Sequence, residues 1–343
     1  MPRLTGILLL AIALCAAART AQAAEIGHFN GGILNIRDYF VPEPGLYGGL
    51  YNYFYHTGRL NDRHGDDIHA VTINPRGGPG VTVGVDVDVN LYALIPVLFW
   101  VTDLKPLGLP LKYGAVITPS FANASLEGTL STATGRGGTA EHSSFNVGDL
   151  YVQPVWLGVT LPHWDFAFAY GFYAPTGHYN TETVTFPRGG SLTGESSDNI
   201  GYGFWTHQLQ GAVAWYPWTH KATAVTAALT YEINTNKHDF DLTPGQRLTL
   251  NWGISQYVPL TRDQKLLLEI GPAGYDSWQI SDDTGSDARN GEVHDYVHAV
   301  GGQLGLTYLP WQAALNFHAY YEFSAQDRFQ GHAFNISLVK KFW

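Results

Sequence analysis

Residues 81–93, VTVGVDVDVNLYA, alternate between apolar and polar side chains over most of their length. Valine or leucine occupies every odd position from 81 to 91, and Thr, Gly, Asp or Asn occupies the even ones. A period of two places successive side chains on opposite faces of a β-strand. The pattern returns in residues 225–234, 247–255 and 315–324. It therefore predicts a chain built from long strands, each with one apolar and one polar face.

The composition narrows the classes of protein that such strands can form. Charged residues make up 14% of the chain and aromatic residues another 14%, with 39 glycines and one cysteine. A soluble domain carries roughly 25% charged residues. The aromatic content argues against a disordered chain, and the single cysteine argues against a disulfide scaffold. The formal net charge of −10 gives no basic footprint for nucleic acid.

The first 23 residues resemble an export signal sequence. Arg3 precedes an apolar run, residues 7–14, and Ala21-Gln22-Ala23 is a small-residue cleavage signal. These features predict a secretory signal peptide removed after Ala23. Cys15 lies within it, so the mature chain would contain no cysteine. An exported chain without disulfides must be stabilised in another way.

Connection lengths separate the two exported β-architectures, a soluble sandwich and a closed membrane barrel. The longest apolar run, residues 91–101, contains Pro96 and is far shorter than the roughly 20 residues of a membrane-spanning helix. Tight turns are predicted at residues 162–163, 217–220, 262–264 and 310–311. Long polar, glycine-rich loops are predicted at about residues 56–80, 127–146, 174–203, 235–246 and 281–293. Alternating short and long connections are typical of outer-membrane barrels.

We therefore predict an all-β, transmembrane antiparallel β-barrel of about 12 strands, with short periplasmic turns and long outer loops. The predicted barrel comprises residues 46–343, and residues 24–45 form a segment placed in either the periplasm or the lumen. Tryptophans near the turns suit an interfacial belt: Trp156, Trp164, Trp215, Trp218, Trp311 and Trp343. The last strand ends in Phe342-Trp343, and a terminal aromatic resembles the assembly signal of such barrels.

Several motifs carry a family resemblance. They are GDLYVQPVWL at 148–157, APTGHY at 174–179, NIGYGFW at 199–205, NTN at 234–236 with TPG at 243–245, and GPAGY at 271–275 followed by QISDDTG at 279–285. Together they resemble the outer-membrane transporter family named for the meta-pathway (MetA-pathway) of phenol degradation. The resemblance implies a channel-like protein associated with aromatic or other hydrophobic compounds, and it does not imply an enzyme.

The polar faces of the strands supply candidate lumen-lining residues. These are Asp86, Asp88, Lys112, Gln208, Gln210, Glu232, Arg247, Asn251, Glu269, His318 and Glu322. They could form a polar path that orients a solute and tunes ion selectivity. They could equally be hydrogen-bonded struts, since buried charges need partners, and such struts could close a lumen of this size.

The function predicted is passive passage of small, aromatic or hydrophobic solutes across the outer membrane of a Gram-negative-type cell. Candidate aromatics for adsorbing them are Phe172, Tyr173, Tyr179 and Phe204. The other expected partners are outer-membrane lipid and the barrel assembly machinery; nucleic acid is not expected. The alternatives are a structural or surface-interaction barrel with a closed lumen, and an outer-membrane hydrolase.

Neither a cofactor nor a metal is predicted. Histidines and aspartates share the loop at residues 56–69, but the sequence has no ligand spacing such as H-E-x-x-H. The acidic loop at residues 282–287 offers oxygen ligands for Ca²⁺ without matching the calcium-loop signature. No G-x-S-x-G is present, and His318 and Ser324 on one strand are too far apart to act as base and nucleophile.

Overall fold

The computed structural model describes residues 27–73, 81–104, 110–132, 137–185, 191–196, 198–288 and 291–343. The predicted signal peptide lies outside these residues. The described chain is all-β. Its strands are β1 Gly45–Thr57, β2 Ala70–Ile73, β3 Val81–Leu104, β4 Leu111–Thr118, β5 Phe121–Thr132, β6 Gly137–Val147, β7 Leu150–Thr160, β8 Trp164–Ala174, β9 Thr181–Thr185, β10 Ser191–Glu195, β11 Thr206–Trp215, β12 Thr223–Asn234, β13 Arg247–Pro259, β14 Leu266–Gln279, β15 Tyr296–Tyr308, β16 Ala313–Gln326 and β17 His332–Lys341.

Twelve of these strands close into an antiparallel barrel, as the sequence predicts. Strand β1 pairs with β17 on one side and with β3 on the other, which joins the two ends of the sheet. The remaining order around the barrel runs from β17 down to β11 and then through β8, β7 and β4 to β3. Closure leaves the barrel without a free edge, and every wall strand has a partner on both sides.

The end of the barrel where the long connections lie is called the long-loop end, and the end with the tight turns is called the short-turn end. The sheet extends beyond the barrel at the long-loop end. Strand β3 has 24 residues; its second half pairs with β4 in the barrel, and its first half pairs with β5. Strand β6 continues the extension by pairing with β5. Residues 127–146, predicted as a long loop, therefore lie mostly in β5 and β6, because these strands continue the barrel ladder outward. The following outer connection carries the separate β9–β10 hairpin.

The outward face of the barrel is apolar. Large apolar side chains such as Leu229, Leu250, Phe317 and Leu338 alternate with buried inward residues. Exposed tryptophans mark the short-turn end and the C-terminus: Trp164, Trp215, Trp218, Trp311 and Trp343. Burying such a surface in hydrocarbon removes it from water. Within the described part of the chain, no helix is long and apolar enough to cross a membrane.

Trp156 does not belong to the aromatic belt in which the sequence placed it. It is only 6% exposed, faces the lumen, and donates its indole N–H to the carbonyl of Tyr39 at 3.3 Å. The sequence places it beside a turn, but its strand position has inward phase, so it belongs to the interior.

The described residues that precede β1 fill part of the lumen. Residues 27–44, which we call the luminal segment, form turns without a regular helix or strand. At Gly27 the segment lies against Glu232 and Arg247, near the long-loop end of the barrel. At Glu43 it meets Lys112 near the short-turn end. The segment therefore takes the luminal placement of the two that the sequence left open.

Candidate functional site

The inward faces of β11–β17 form what we call the polar wall, and the luminal segment is hydrogen-bonded to it through main-chain amides. Glu232 accepts from the amide of Phe29 at 2.9 Å, and Asn251 accepts from Gly32 at 3.0 Å. Gln303 accepts from the amide of Ile36 at 2.8 Å. A buried amide without a partner is costly, so these side chains stabilise a segment that has no secondary structure of its own.

Arg37 anchors the short-turn end of the segment. Its Nε donates to Ser255 at 2.7 Å and to Glu269 at 3.1 Å. Its two terminal nitrogens donate to the carbonyls of Lys221 and Ala222, and its guanidinium lies 4.3 Å from the ring centre of Tyr257. A planar guanidinium with five donors suits such a site better than an ammonium group does.

Asp38 sits beside this anchor and accepts hydrogen bonds from the Tyr51 hydroxyl at 2.7 Å and from Asn35. Burial raises the pKa of the Asp38 carboxyl above its ordinary value. The neighbouring Asn35 amide also contacts Ser337 and His318 across the lumen. These contacts join the middle of the segment to β16 and β17.

His28 anchors the long-loop end of the segment in a box of aromatic rings. Its imidazole stacks on Tyr173 with centroids 4.6 Å apart, and the edges of Tyr202 and Phe204 approach it at 4.6 and 5.0 Å. The ring nitrogens meet Asp149 at 2.9 Å and Thr206 at 2.7 Å. Burial lowers the pKa of His28 below its ordinary value, outweighing the opposing effect of Asp149.

Asp149 is the shared hydrogen-bond acceptor at the long-loop end of the lumen, which we call the outer mouth. Besides meeting His28, its carboxylate accepts the amides of Gly177 and Tyr202, each at 2.8 Å. Any Cβ at Gly177 or Gly201 would collide with the backbone of the other loop. The three motifs at residues 148–157, 174–179 and 199–205 therefore converge at one point, where they hold the end of the luminal segment.

An ion-paired cluster lies nearby at the same end. Arg247 forms a bidentate pair with Asp295 at 2.6 and 2.7 Å, and Arg328 adds a third bond at 3.1 Å. Burial by itself would raise the pKa of Asp295, but the two guanidinium groups outweigh it and hold that pKa below its ordinary value. This cluster makes the long-loop end of the polar wall rigid.

A cavity of about 510 Å³ lies between the luminal segment and the opposite wall. That wall, which we call the apolar wall, is formed by the inward faces of β1, β3 and β4 and by the first residues of β5, where the sheet begins to leave the barrel. Its lining side chains include Tyr47, Tyr53, Leu91, Ala93, Ile95, Val97, Phe99, Val116, Ala122 and Ala124. The lining also includes Ile200 from an outer loop and Pro42 from the short-turn end of the segment. The cavity thus follows the lumen from one end of the barrel toward the other.

Most of the sequence-derived luminal candidates are buried and belong to the polar wall. This group contains Gln208, Gln210, Glu232, Arg247, Asn251, Glu269, His318 and Glu322. Gln208 and Gln210 also border the cavity. Lys112 lies at the short-turn end and pairs with Glu43 at 2.6 Å. Five of these candidates bond to the luminal segment: Lys112, Glu232, Asn251, Glu269 and His318. The other four bond to wall or loop residues: Gln208, Gln210, Arg247 and Glu322.

Asp86 and Asp88 do not line the lumen, which corrects the prediction. Val85 and Val87 are buried on the inward face of β3, and the aspartates share the outward face. Asp88 accepts from Asn90 at 2.6 Å and lies 3.8 Å from His56. The inward face of β3 is apolar and its outward face carries the aspartates, which is the reverse of the predicted assignment, because the lumen is apolar on this side. This end of β3 also lies in the extension beyond the barrel.

The four candidate aromatics have different positions. Phe172 faces outward beside Trp205, and Tyr179 packs on Gly203 in the outer loop. Tyr173 borders the cavity beneath His28. Phe204 is 0% exposed inside the His28 box, so it is not available to adsorb a solute in this structure. That part of the prediction is wrong, because the luminal segment covers the ring.

Sequence reasoning missed His28, Arg37 and Asp149. The luminal segment has no periodic pattern, and its partners are distant in the chain: 121 residues separate His28 from Asp149. The only available signal for Asp149 was its place in the GDLYVQPVWL motif. Among the described residues, no group of three or more His, Cys, Asp or Glu side chains could hold a metal ion. In the 282–287 loop, Asp282 pairs instead with His294 at 2.8 Å.

Among the solved structures compared, the one with a TM-score above 0.5 has the same fold. The COG4313 outer membrane channel from Pseudomonas putida F1 superposes with a TM-score of 0.56 at 14% identity, covering 90% of this chain and 100% of that one. The β domain of the Bordetella autotransporter BrkA gives a TM-score of 0.45 at 12% identity, covering 88% and 100%. A Pseudomonas aeruginosa FadL homologue gives 0.36 at 11%, covering 96% and 98%.

No curated protein sequence matches this chain significantly. A family model does match it, over residues 57–338, and this match confirms the resemblance drawn from the motifs. The matched region includes β3 to β16 and all the motifs that meet around Asp149. The chain therefore belongs to the family described as "Putative MetA-pathway of phenol degradation".

Proposed function

We propose that this protein is an outer-membrane channel for the passive passage of small hydrophobic solutes, particularly those with aromatic rings. The observation that carries the proposal is the cavity along the apolar wall. Pockets for small molecules are commonly lined by apolar and aromatic groups with a few polar ones. The outward apolar face and the barrel fold support insertion in the outer membrane after export and signal cleavage.

The asymmetry of the lumen supports an apolar cargo. A hydrophilic solute entering the cavity would lose hydration against Ile95, Val97 and Phe99 without gaining hydrogen bonds there. A hydrophobic ring would lose little, because removing apolar surface from water is favourable. The few polar neighbours, such as Gln208 and Gln210, would orient a solute without binding it tightly.

Filling the cavity tests the proposal. Ala93 faces the cavity, and its neighbour Leu94 lies on the opposite face of β3. We expect Ala93→Trp to slow the uptake of a radiolabelled aromatic hydrocarbon by cells, because the indole would occupy the passage. Leu94→Trp is the matched control and should leave uptake unchanged. The reference is a strain that lacks the protein.

Uptake that is equally fast with the wild-type protein, with Ala93→Trp and without the protein would reject the proposal. The same result would favour the structural barrel with a closed lumen. Lipid and the barrel assembly machinery are the partners that insertion of such a barrel would require. No metal or cofactor is proposed for it.

A further inference from the structure

The polar wall beneath the luminal segment is hydrophilic at every level of the barrel. Thr206, Asn234 and Gln279 lie near the long-loop end, and Thr230 and Gln303 lie at mid-height. Ser255, Asn316 and Ser337 continue the polar surface toward the short turns. All of these side chains are buried in the present structure. An inward face of this kind is typical of barrels with a water-filled lumen.

The luminal segment provides hydrogen-bond partners for only some of the polar groups of this wall. Six buried polar atoms of the wall have no hydrogen-bond partner among the described residues: Gln208 Oε1, Glu232 Oε2, Asn251 Nδ2, Gln279 Oε1, His318 Nδ1 and Asn335 Oδ1. Each is a group that water would satisfy if the segment were absent. The wall therefore has more hydrogen-bonding capacity than the segment can use, which lowers the cost of displacing the segment.

The charges on the covered wall are predominantly negative once the segment is removed. Glu269 would lose Arg37, its partner at 3.1 Å. Glu322 accepts from the neutral hydroxyls of Tyr55 and Tyr275. Arg247 and Arg328 are both bonded to Asp295. Carboxylates that line a pore favour cations over anions.

We propose that the polar wall lines a second, water-filled path that conducts small cations when residues 27–44 leave the lumen. This activity is separate from the passage of hydrophobic solutes along the apolar wall. The luminal segment would then be a displaceable filling, anchored at its two ends by His28 and Arg37.

Gly31 allows the segment to be displaced without deleting it. A Cβ at Gly31 would lie 2.5–2.8 Å from three atoms of the Tyr275 side chain, so a large side chain there cannot be accommodated with the segment in place. Gly194, on the exposed β9–β10 hairpin, has nothing within 4 Å of the same position. Gly31→Trp and Gly194→Trp therefore form a matched pair. The barrel strands keep their sequence in Gly31→Trp.

Full-length protein in planar bilayers with KCl tests the proposal. We expect Gly31→Trp to raise the conductance several-fold over wild type and to favour K⁺ over Cl⁻. Gly194→Trp should behave as wild type. Adding Glu232→Gln, Glu269→Gln and Glu322→Gln to the Gly31→Trp protein should remove the preference for K⁺. Adding Ala93→Trp instead should leave the K⁺ conductance in place, because that residue lies on the apolar wall, opposite the polar wall.

Folding is checked by the heat-dependent gel mobility of the barrel. If folded Gly31→Trp conducts no more than Gly194→Trp, or prefers Cl⁻, the proposal is wrong. If Gly31→Trp does not fold, a chain lacking residues 24–40 replaces it, with the same expected conductance and the same contradictory outcome. Uptake of aromatic hydrocarbon is measured separately, so failure of this proposal leaves the proposed uptake function standing or falling independently.

Discussion

The two sides of the lumen differ in what they offer the chain inside it. The polar wall hydrogen-bonds to the main chain of the luminal segment and to Arg37, whereas the apolar wall leaves a cavity. Both walls consist of antiparallel strands in which inward and outward side chains alternate, and both have an apolar outward face. The difference shows that one barrel can hold a hydrogen-bonded segment and an apolar cavity side by side, according to which residues point inward.

Removing the shared acceptor at the outer mouth should have the largest effect on stability. Asp149→Ala deletes the acceptor for His28 and for the amides of Gly177 and Tyr202. We expect the free energy of unfolding to fall by about 3–5 kcal/mol, because three buried donors lose a charged acceptor and each such bond contributes roughly 1.5–3 kcal/mol. Urea titration of the folded barrel measures this change.

Asp198→Ala is the control for Asp149→Ala. Asp198 also pairs with a histidine, His178, but both side chains are about one-third exposed. We expect its replacement to cost less than about 1 kcal/mol, as for other exposed pairs. Equal losses for the two variants would contradict the role given to Asp149.

Arg37 is the corresponding test at the short-turn end. Arg37→Ala would leave Glu269 buried without its cationic partner and would free two carbonyls. We expect it to weaken the seating of the luminal segment by about 2–3 kcal/mol, the range for hydrogen bonds to charged groups. Hydrogen exchange of residues 27–44 measures the seating.

Arg37→Lys makes this test more specific because it keeps the positive charge and removes the planar set of guanidinium N–H donors. An ammonium group cannot reproduce the four bonds of the guanidinium, so partial protection is expected. Full protection with lysine would show that charge alone anchors the segment.

The sequence predicted the strands and the closure because both depend on local pattern. Alternation in β12, β13 and β16 placed Glu232, Arg247 and His318 opposite the apolar outward residues, and all three are buried in the structure. Turn and loop lengths then favoured a barrel. The same alternation misplaced Asp86, because a period of two identifies two faces without stating which one is inside. An apolar stretch of lumen reverses the usual assignment.

The site itself was less accessible to sequence reasoning. The luminal segment has no period, and its contacts join residues hundreds of positions apart, such as Asn35 with Ser337. Whether Phe204 is free or covered depends on that segment. Such information exists only in the tertiary structure, so the cavity and the His28 box could not be inferred from local pattern.

A smaller effect is expected at the middle of the polar wall. Asn251→Leu removes the acceptor for the amide of Gly32 and leaves that amide buried. We expect the seating of the segment to weaken by about 1–2 kcal/mol, the cost of an unsatisfied neutral donor. The exchange rate of the Gly32 amide reports it. An unchanged rate would show that the polar wall does not hold the segment there.

The smallest expected effect is a pH dependence of the outer anchor. Burial lowers the pKa of His28 in the seated segment below the ordinary value of 6.5, so a released His28 takes up a proton more readily than a seated one. His28 therefore stabilises seating fully above pH 6.5, and this contribution is lost as the pH falls through the lowered pKa. We expect the protection factor of the amides of residues 27–30, which is the exchange rate relative to the intrinsic rate at the same pH, to fall by less than about tenfold between pH 7.5 and 5.5. His28→Gln should abolish this fall, and Asp38→Asn should not, since the raised pKa of Asp38 favours seating as the pH falls. A protection factor that rises at pH 5.5 in the wild-type protein would mean that Asp149 outweighs burial at this anchor.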